Sequence, residues 1–437
     1  MRVHRAWWVA FVTLLALVSA AAFRSSTGVL FIPIETEFGW DRRTTSAAVS
    51  INLVLYGLTA PFAAAIMERW GVRRTVAVAL AIVGISSGLT TVMTQPWHLW
   101  LLWGVFIGVG TGAMALVLGA IVANRWFTAH RGLVTGLFSA ANATGQLSFL
   151  PLIAALAEGP GWRWAAGAVG LLSLALVPLV LLLLVDRPAD LGLRPYGEPE
   201  LALDTPLPSA AAEAPARFTD HTAREGAVRA TLSALALGAR RWPFWALAAS
   251  FFVCGWSTNG LMQTHFIPAT ADYGMSTMLA AMLLAMIGAF DIIGTVASGW
   301  LTDRVDSRVL LAIYYGGRGI ALFLLPGVIG PDISGGMWFF IIFYGLDWVA
   351  TVPPTVALCR QHFGLERSGV VFGWVFASHM VGAGAGATLA GNLRELTGSY
   401  AESWFIAAVL CLAAAAVVLS IRRPTVPAPS SEPVPVP

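Results

Sequence analysis

Six ionisable side chains lie inside long apolar runs of this 437-residue chain. A charge within a bilayer costs roughly 2.5–3.5 kcal/mol on insertion scales, so it normally faces a cavity or a partner. An arginine stays charged and offers a planar fork of donors that suits a carboxylate, whereas a carboxyl or imidazole group can exchange a proton. Such residues could therefore hold an anion and carry a proton within a membrane. They are Arg24, His265, Asp291, Arg318, Asp347 and His379.

The first candidate, Arg24, lies near the centre of an apolar run over residues 6–34 that is long enough to cross a bilayer. Part of this run recurs later in the chain at a constant sequence offset, with Asn259 in the place of Arg24. A polar pair that differs within an otherwise repeated helix predicts a binding site. The repeated residues are Phe31, Ile32, Pro33 and Gly39, followed by Phe266, Ile267, Pro268 and Gly274.

A second polar pair comes from the same repeat, which relates Asn142 to His379 after a shift of two residues. Asn142 lies on a polar stripe of the fifth predicted span, and a packed histidine at a helix interface is the alternative for His379. His265 lies off the expected binding face and is predicted to be packed. The stripe consists of Thr135, Ser139, Asn142 and Gln146. The expected substrate-binding residues are Arg24, Tyr56, Asn142, Gln146, Asn259, Gln263 and His379.

Asp291 is the expected proton-coupling residue. It shares a small and polar stripe of the eighth predicted span with Gly288, Thr295 and Ser298, which is typical of a helix face turned towards water or substrate. Desolvation disfavours the charged form of a carboxyl group, so Asp291 could exchange a proton near neutral pH. In an empty site it would compete for Arg24, and its protonation would free the arginine for an anion. The alternative is an acid that is satisfied within one helix bundle.

Arg318 and Asp347 fall at similar depths of the ninth and tenth predicted spans. A buried arginine without a partner is strongly destabilising, so we expect the two residues to form a structural ion pair. The alternative is a role in substrate binding.

The composition indicates a membrane protein and excludes several other classes. Hydrophobic residues make up 57% and charged residues 11% of the chain, against about 25% charged residues in soluble globular proteins. The net charge of +3 does not indicate a nucleic-acid partner. Cys254, Cys359 and Cys411 lie in apolar runs and are interpreted as small hydrophobic residues. Because no phosphate loop, metal-ligand cluster or nucleophile motif is present, we expect neither an enzyme nor a metal or cofactor.

Apolar runs predict an all-α membrane protein with twelve transmembrane helices in two pseudo-symmetric bundles of six. The first run continues past any plausible signal-peptide cleavage site, so it is interpreted as a span. The expected domains are an N-terminal bundle (1–185), a cytoplasmic linker (186–241) with a short surface helix near 217–240, a C-terminal bundle (242–423) and a disordered tail (424–437). The spans are 7–34, 45–67, 75–94, 97–123, 132–157, 163–185, 243–268, 277–300, 308–329, 336–358, 368–391 and 403–421.

The distribution of arginine predicts the orientation, because cytoplasmic loops carry an excess of basic residues. All 26 basic residues are arginine, and the turns from odd to even spans contain few of them. Both termini are therefore expected on the cytoplasmic side. The side with few arginines carries Arg42, Arg43, Arg163 and Arg394. The opposite side, expected to be cytoplasmic, includes Arg2, Arg5, Arg69, Arg73, Arg74, Arg125, Arg131, Arg304, Arg308, Arg360, Arg367, Arg422 and Arg423.

The loop after the second span also has a second copy, after the eighth, and two parallel halves are typical of transporters. The segment Glu68-Arg69-Trp70-Gly71-Val72-Arg73-Arg74 resembles the loop signature of the major facilitator superfamily, and Gly299-Trp300-Leu301-Thr302-Asp303-Arg304 is its partial repeat. The resemblance implies the fold of that superfamily and alternating access. The expected gating residues are Glu68, Arg69, Arg73, Asp303, Arg304 and Arg308.

A narrower resemblance is to the monocarboxylate and oxalate-formate carriers. The segments Arg125-Trp126-Phe127 and Arg131-Gly132-Leu133 are similar to their loop before helix five, and Phe23-Arg24 to their first helix. Their eighth helix carries an aspartate and then an arginine four residues later, where this chain has Asp291 and Thr295. The resemblance implies a secondary transporter that moves a small organic anion, a monocarboxylate. With Asp291 as the proton carrier, we expect symport with protons across the cytoplasmic membrane, by a protein that acts as a monomer.

Two other functions stay open from the sequence. In proton-driven efflux of an apolar or cationic compound, Asp291 and tryptophans would recognise the substrate and Arg24 would be structural. In a membrane sensor, a ligand would bind without being moved. The predicted partners are the organic anion, a proton or counter-ion, and the lipid bilayer.

Overall fold

Long helices joined by short turns make up the computed structural model, which describes residues 4–114, 116–198 and 227–422. We number the membrane helices α1 to α12. They are α1 (Arg5–Phe38), α2 (Arg42–Trp70), α3 (Val72–Thr90), α4 (Pro96–Trp126), α5 (Arg131–Glu158), α6 (Trp162–Leu183), α7 (242–271), α8 (Thr277–Thr302), α9 (Ser307–Gly327), α10 (Gly335–Gly364), α11 (Ser368–Thr397) and α12 (Ala401–Leu419).

Each predicted span falls on one of these helices. Within the described residues, ten helices are long and apolar enough to cross a membrane, judged by length and composition alone. The other two positions are occupied by α5 and by α7, which is divided into Trp242–Gly255, Trp256–Met262 and Gln263–Ala271. The chain is thus a multi-pass membrane protein.

The sequence repeat is also a repeat of backbone geometry. Gly39 ends α1 with φ 66° and Gly274 follows α7 with φ 86°, a left-handed conformation that glycine adopts without strain. Two residues further on, Asp41 and Ser276 cap α2 and α8, each through a side-chain oxygen that accepts a backbone N–H of the first turn. Corresponding residues therefore build corresponding turns in the two halves.

Glycines bring neighbouring helices into contact, as expected for membrane helices. A Cβ at Gly108 of α4 would lie 2.9 Å from the carbonyl oxygen of Asn52 on α2. A Cβ at Gly255 of α7 would overlap the carbonyl oxygen of His379 on α11. These close approaches place α2 beside α4, and α11 beside α7.

Helices α4, α7 and α10 depart from the continuous spans that the sequence predicts, and in α4 the segment Trp100–Ile107 is a π-helix. In α7 the segment Trp256–Met262 is a π-helix with Asn259 at its centre, and π-helical turns are frequent at functional sites. In α10 the helix stops at Asp347 and resumes at Val352, where Pro353 and Pro354 supply no N–H and suit the first turn of a new helix. The interruption leaves backbone groups that need other partners.

The two ends of the bundle are named here after their turns. The Gly39 end contains the turns at Gly39, Gly161, Gly274 and Gly398, and the Gly71 end contains the opposite loops and the linker. The start of the linker is ordered, because Tyr196 exchanges backbone hydrogen bonds with residues 126–129. A helix over Ala227–Ala239 matches part of the expected surface helix, and Trp374 Nε1 donates to its Thr231 oxygen at 2.9 Å. Residues 199–226 and the expected tail lie outside the described residues.

Candidate functional site

Arg24 lies on α1 beside the other half of the molecule. Its Cζ is 4.8 Å from the centre of the Tyr56 ring on α2, a cation–π distance. One turn further along α1, a Cβ at Gly28 would lie 3.0 Å from the carbonyl oxygen of Thr264 on α7. Helices α1 and α7 are therefore in backbone contact one turn from Arg24, at the residues that directly follow the π-helical part of α7.

Aromatic contacts connect Arg24 to the second polar pair. The Tyr56 ring meets Phe376 of α11 at 6.0 Å, and Phe376 stacks on His379 at 5.8 Å. His379 Nε2 is in turn 3.1 Å from Asn259 Oδ1. Phe376 thus contacts Tyr56 of one half and His379 of the other, and Arg24 and Asn259 are joined to it through these two residues. Sequence reasoning missed Phe376, although it precedes His379 by three residues and so shares its helix face.

Two polar atoms of this cluster have no hydrogen-bond partner among the described residues. Asn259 Oδ1 accepts a hydrogen bond from His379 Nε2, so Nε2 carries the proton and the buried Nδ1 is left as an acceptor. Gln263 Nε2, one turn from Asn259, is a buried donor without a partner. Because buried polar groups are normally hydrogen-bonded, these two atoms are candidates for contact with a ligand.

The remaining predicted binding residues, Asn142 and Gln146, belong to α5. Their side chains lie outside the described residues, as does the rest of that polar stripe. The backbone of α5 is described, and a Cβ at Gly145 would lie 2.5 Å from Ala21 Cβ on α1. Helix α5 therefore packs against α1 one turn from Arg24.

The Asp291 stripe of α8 faces the interruption of α10. Asp291 Oδ1 accepts hydrogen bonds from Thr295 Oγ1 at 2.9 Å and from the Val349 N–H at 3.0 Å. Ser298 Oγ donates to the Ala350 oxygen at 2.5 Å. In this structure the stripe packs against α10 and does not line open water, because the backbone groups freed in α10 need polar partners in a membrane interior. Its expected contact with substrate stays a prediction.

Arg318 and Asp347 are brought together at the same interruption. Arg318 Nε is 2.6 Å from Asp347 Oδ2, and Nη2 donates to the Asp347 and Trp348 oxygens at 2.6 and 3.1 Å. Nη1 donates to Cys254 Sγ at 3.1 Å. The arginine side chain is fully buried. It therefore neutralises Asp347 and supplies donors to the broken helix at once, although a purely structural role stays a prediction.

His265 is placed away from the cluster around Phe376. Both of its ring nitrogens have partners, since Nδ1 is 3.1 Å from the Tyr400 hydroxyl and Nε2 is 2.9 Å from the Ala387 oxygen. It lies next to Glu35 and Arg42 at the Gly39 end. Sequence reasoning missed this network, whose one signal in the sequence was an acid, Glu35, directly after the first apolar run.

The predicted gating loops make their described contacts within one half of the molecule. The Arg73 N–H donates to Asp186 Oδ1 at 2.8 Å, which joins α3 to the end of α6. Arg308 contacts Asp306 at 2.6 Å and the Ile421 oxygen at 2.7 Å, which joins α9 to the end of α12. The Arg69 and Asp303 side chains are exposed, Arg304 lies over Trp300 at 4.1 Å, and the Glu68 side chain is outside the described residues. A gate between the halves at this end stays a prediction.

A metal-binding role finds no support in the described ranges, which contain no cluster of three or more histidine, cysteine or acidic residues suited to a metal ion. The polar groups of the site are instead an arginine, an imidazole and amides, which suit an organic ligand.

Fold and site together define a multi-pass membrane transporter built from two repeated halves. The family model described as Major Facilitator Superfamily matches residues 13–387, and the chain belongs to this superfamily. The predicted fold class and the predicted family are thereby confirmed. The members of this family are transporters rather than enzymes.

Relatives with curated names extend over most of the chain. The chain is 27% identical over 393 residues to an uncharacterized MFS-type transporter, YcxA of Bacillus subtilis, covering 89% of this chain and 88% of the relative. It is 26% identical over 400 residues to monocarboxylate transporter 13 of Rattus norvegicus, covering 91% and 84%. It is 26% identical over 423 residues to monocarboxylate transporter 11 of Homo sapiens, covering 93% and 83%.

Solved structures share the fold. A bacterial homologue of the human lysosomal transporter Spinster has a TM-score of 0.71 at 15% identity, covering 96% of this chain and 97% of its own. The xylose transporter XylE from E. coli has a TM-score of 0.67 at 14% identity, covering 95% and 97%. At these identities the likeness concerns the fold alone.

Proposed function

We propose that this transporter moves a small organic anion, of the monocarboxylate class, across the cytoplasmic membrane by alternating access with proton coupling. The observation that carries the proposal is the position of Arg24, a permanent positive charge on a membrane helix at the contact between the two halves. A charge in this position is costly unless it serves a ligand or a partner. Relatives that are named monocarboxylate transporters support the same class of substrate.

The groups around Arg24 suit a short carboxylate with a further polar group. A guanidinium binds a carboxylate through two parallel hydrogen bonds. The acceptor at His379 Nδ1 and the donor at Gln263 Nε2 would orient the rest of the anion. Tyr56 and Asn259 hold Arg24 and His379 in place. We assign Asn142 to the same site from the sequence repeat, and Gln146 from the polar stripe that it shares with Asn142.

Asp291 is proposed to couple protons through α10. As a carboxylate it accepts the Val349 N–H at the interruption of α10, and protonation would weaken this bond. Loss of that bond would loosen the interruption of α10, which Arg318 and Ser298 alone would then hold. The hydrogen bonds of Asp291 thus favour coupling by movement of α10 over direct competition for Arg24. The alternative is coupling to a counter-ion in place of the proton. The pH dependence of the uptake rate distinguishes the two.

The topology follows from the arginine distribution. We propose that the Gly71 end, both termini and the linker 186–241 lie on the cytoplasmic side. The bundles 1–185 and 242–423 are proposed to move relative to one another, and the protein is proposed to act as a monomer. The loop residues from Glu68 to Arg73 and from Asp303 to Arg308 would then gate the cytoplasmic end.

Thermal stabilisation of the purified protein by a panel of small carboxylates, at an acidic and a near-neutral pH, tests the proposal. A ligand at a hundred times its Kd should add about 2.7 kcal/mol of stability. We expect one carboxylate to raise the melting temperature of the wild type, more strongly at acidic pH. The shift should disappear in Arg24→Ala and persist in Arg43→Ala, which removes an exposed arginine at the start of α2.

Two results would contradict the proposal. Stabilisation by apolar amines but by none of the carboxylates would favour proton-driven efflux, with Arg24 as a structural residue. Stabilisation by a ligand that reconstituted vesicles do not take up would favour a membrane sensor.

A further inference from the structure

One continuous set of hydrogen bonds joins four side chains at the Gly39 end. The Arg42 guanidinium donates to Glu35 Oε2, with Nε at 2.9 Å and Nη2 at 2.7 Å. Its Nη1 donates to the Tyr400 hydroxyl at 2.7 Å. The Tyr400 oxygen is 3.1 Å from His265 Nδ1, and His265 Nε2 is 2.9 Å from the Ala387 oxygen. We call Glu35, Arg42, Tyr400 and His265 the Gly39-end latch.

The donor and acceptor roles within the latch are consistent with one another. The Ala387 carbonyl can only accept, so His265 Nε2 carries the proton and Nδ1 accepts. The Tyr400 hydroxyl then donates to His265 and accepts from Arg42. Burial raises the pKa of Tyr400, so its phenol keeps this proton at neutral pH. The chain of donors thus runs from Arg42 to Ala387 without a conflict.

The latch crosses from one half of the protein to the other. Glu35 and Arg42 belong to α1 and α2, whereas Tyr400 precedes α12 and His265 lies on α7. A second crossing is made by the Arg42 N–H, which donates to Glu395 Oε1 of α11 at 2.7 Å. The two halves are therefore connected by polar bonds at this end, which have to break if the halves separate there.

Two other ion pairs at the same end stay within one half. Arg163 of α6 pairs with Glu37 of α1, and Arg394 of α11 pairs with Asp272, which follows α7. These pairs are more exposed than the pair of Arg42 with Glu35, whose side chains are 11% and 12% exposed. They can persist while the halves move, and so they provide matched controls for the latch.

Helix α7 connects the latch to the candidate site. His265 is on the same helix as Gln263 and on the turn after Asn259, and it follows the π-helical segment. The Phe31 ring meets the His265 ring at 5.8 Å, and a Cβ at Gly28 would touch α7 at 3.0 Å. A shift of α7 on ligand binding would therefore move His265 against Tyr400.

We propose that the Gly39-end latch is the gate that keeps this end of the transporter closed, and that it separates when this end opens. The proposal rests on the proposed alternating access, and it assigns a function to Glu35, Arg42, Tyr400 and His265 that the binding site does not require. Loss of one buried hydrogen bond to the charged Arg42 should shift the open-to-closed ratio by about tenfold or more.

The test is a distance measurement between spin labels on the two halves, in the full-length protein without substrate. Labels are placed at Arg43→Cys on α2 and Leu396→Cys on α11, both exposed, after replacement of the buried Cys254, Cys359 and Cys411. Pulsed electron paramagnetic resonance then reports the closed and open populations. We expect Tyr400→Phe and Arg42→Gln each to raise the open population about tenfold, and Arg163→Gln to leave it unchanged.

The outcomes separate this proposal from the proposed function. Unchanged distances in both latch variants would overturn the gate, whether or not a carboxylate binds. Equal opening in Arg163→Gln would also overturn it, since any ion pair at this end would then have the same effect. If Tyr400→Phe does not fold, Arg42→Gln decides. An open population in the latch variants, with no anion binding in the wild type, would support the gate and contradict the anion proposal.

Discussion

The buried pair between Arg318 and Asp347 allows a quantitative prediction about stability. Asp347→Asn keeps the size of the side chain and removes the charge that compensates Arg318. The two side chains are 0% and 6% exposed, so water cannot replace the lost partner. Breaking a buried ion pair on one side costs about 3–5 kcal/mol. We expect Asp347→Asn to lower the free energy of unfolding by this amount.

The double variant Arg318→Met/Asp347→Asn should behave differently from the sum of its parts. It removes both charges, but the Asp347 and Trp348 oxygens at the interruption of α10 lose the donor Nη2. An unsatisfied buried acceptor costs about 1–3 kcal/mol. The double variant should therefore stay less stable than the wild type, yet lose clearly less than the two single variants added together.

Unfolding in mixed detergent micelles, followed by far-ultraviolet circular dichroism, measures these free energies. The matched control is Arg394→Gln, which breaks a pair with Asp272 in the same half whose side chains are 30% and 28% exposed. Partly exposed pairs contribute about 0–1 kcal/mol, so this variant should unfold nearly as the wild type does. If Asp347→Asn were as stable as the wild type and had lost ligand binding, the pair would belong to the substrate site and the structural reasoning would fail.

Two further predictions concern α8. Asp291→Asn should remove the pH dependence of initial uptake rates in reconstituted vesicles while uptake itself persists, because an amide replaces the titratable carboxyl group that accepts the Val349 N–H. The exposed Asp332→Asn is the control, and a pH profile like that of the wild type in Asp291→Asn would refute the coupling. Gly294→Ala should lower the free energy of unfolding by about 1–3 kcal/mol, because its Cβ would overlap the Leu346 oxygen. Gly299→Ala meets no atom within 4 Å and should be neutral, so equal losses in the two glycine variants would contradict this account of the contact between α8 and α10.

Several parts of the site were predictable because their signals are local. Arg24 and Asn259 stand out as polar residues within apolar, repeated runs, and the structure places both near the contact of the halves. The pairing of Arg318 with Asp347 was predictable because a buried charge without a partner is destabilising, and these two opposite charges lie at one depth of the membrane. Phe376 was missed because an aromatic residue in a membrane helix is unremarkable by composition.

Other features depend on packing that the sequence does not encode locally. The polar stripe of Asp291 was expected to face water or substrate, but it packs against α10 in this structure. The pattern alone is ambiguous, because a small and polar helix face is common to cavities and to tightly packed contacts. Only the position of the α10 interruption decides between them. Likewise, the sequence shows Arg42 only as a basic residue at the end of a helix. The hydrogen bond to Tyr400 in the structure is what makes it part of the latch.

The sequence by itself determined the class of protein: its apolar runs specify membrane helices, and its repeat specifies two related halves. Both follow from local physics, since a helix satisfies its own backbone and a bilayer selects apolar side chains. The tertiary structure alone decided which polar groups meet, as with the Val349 N–H at Asp291 and the Tyr400 hydroxyl at Arg42. These bonds join residues far apart in the chain, so they exist only once helix packing has set the distances.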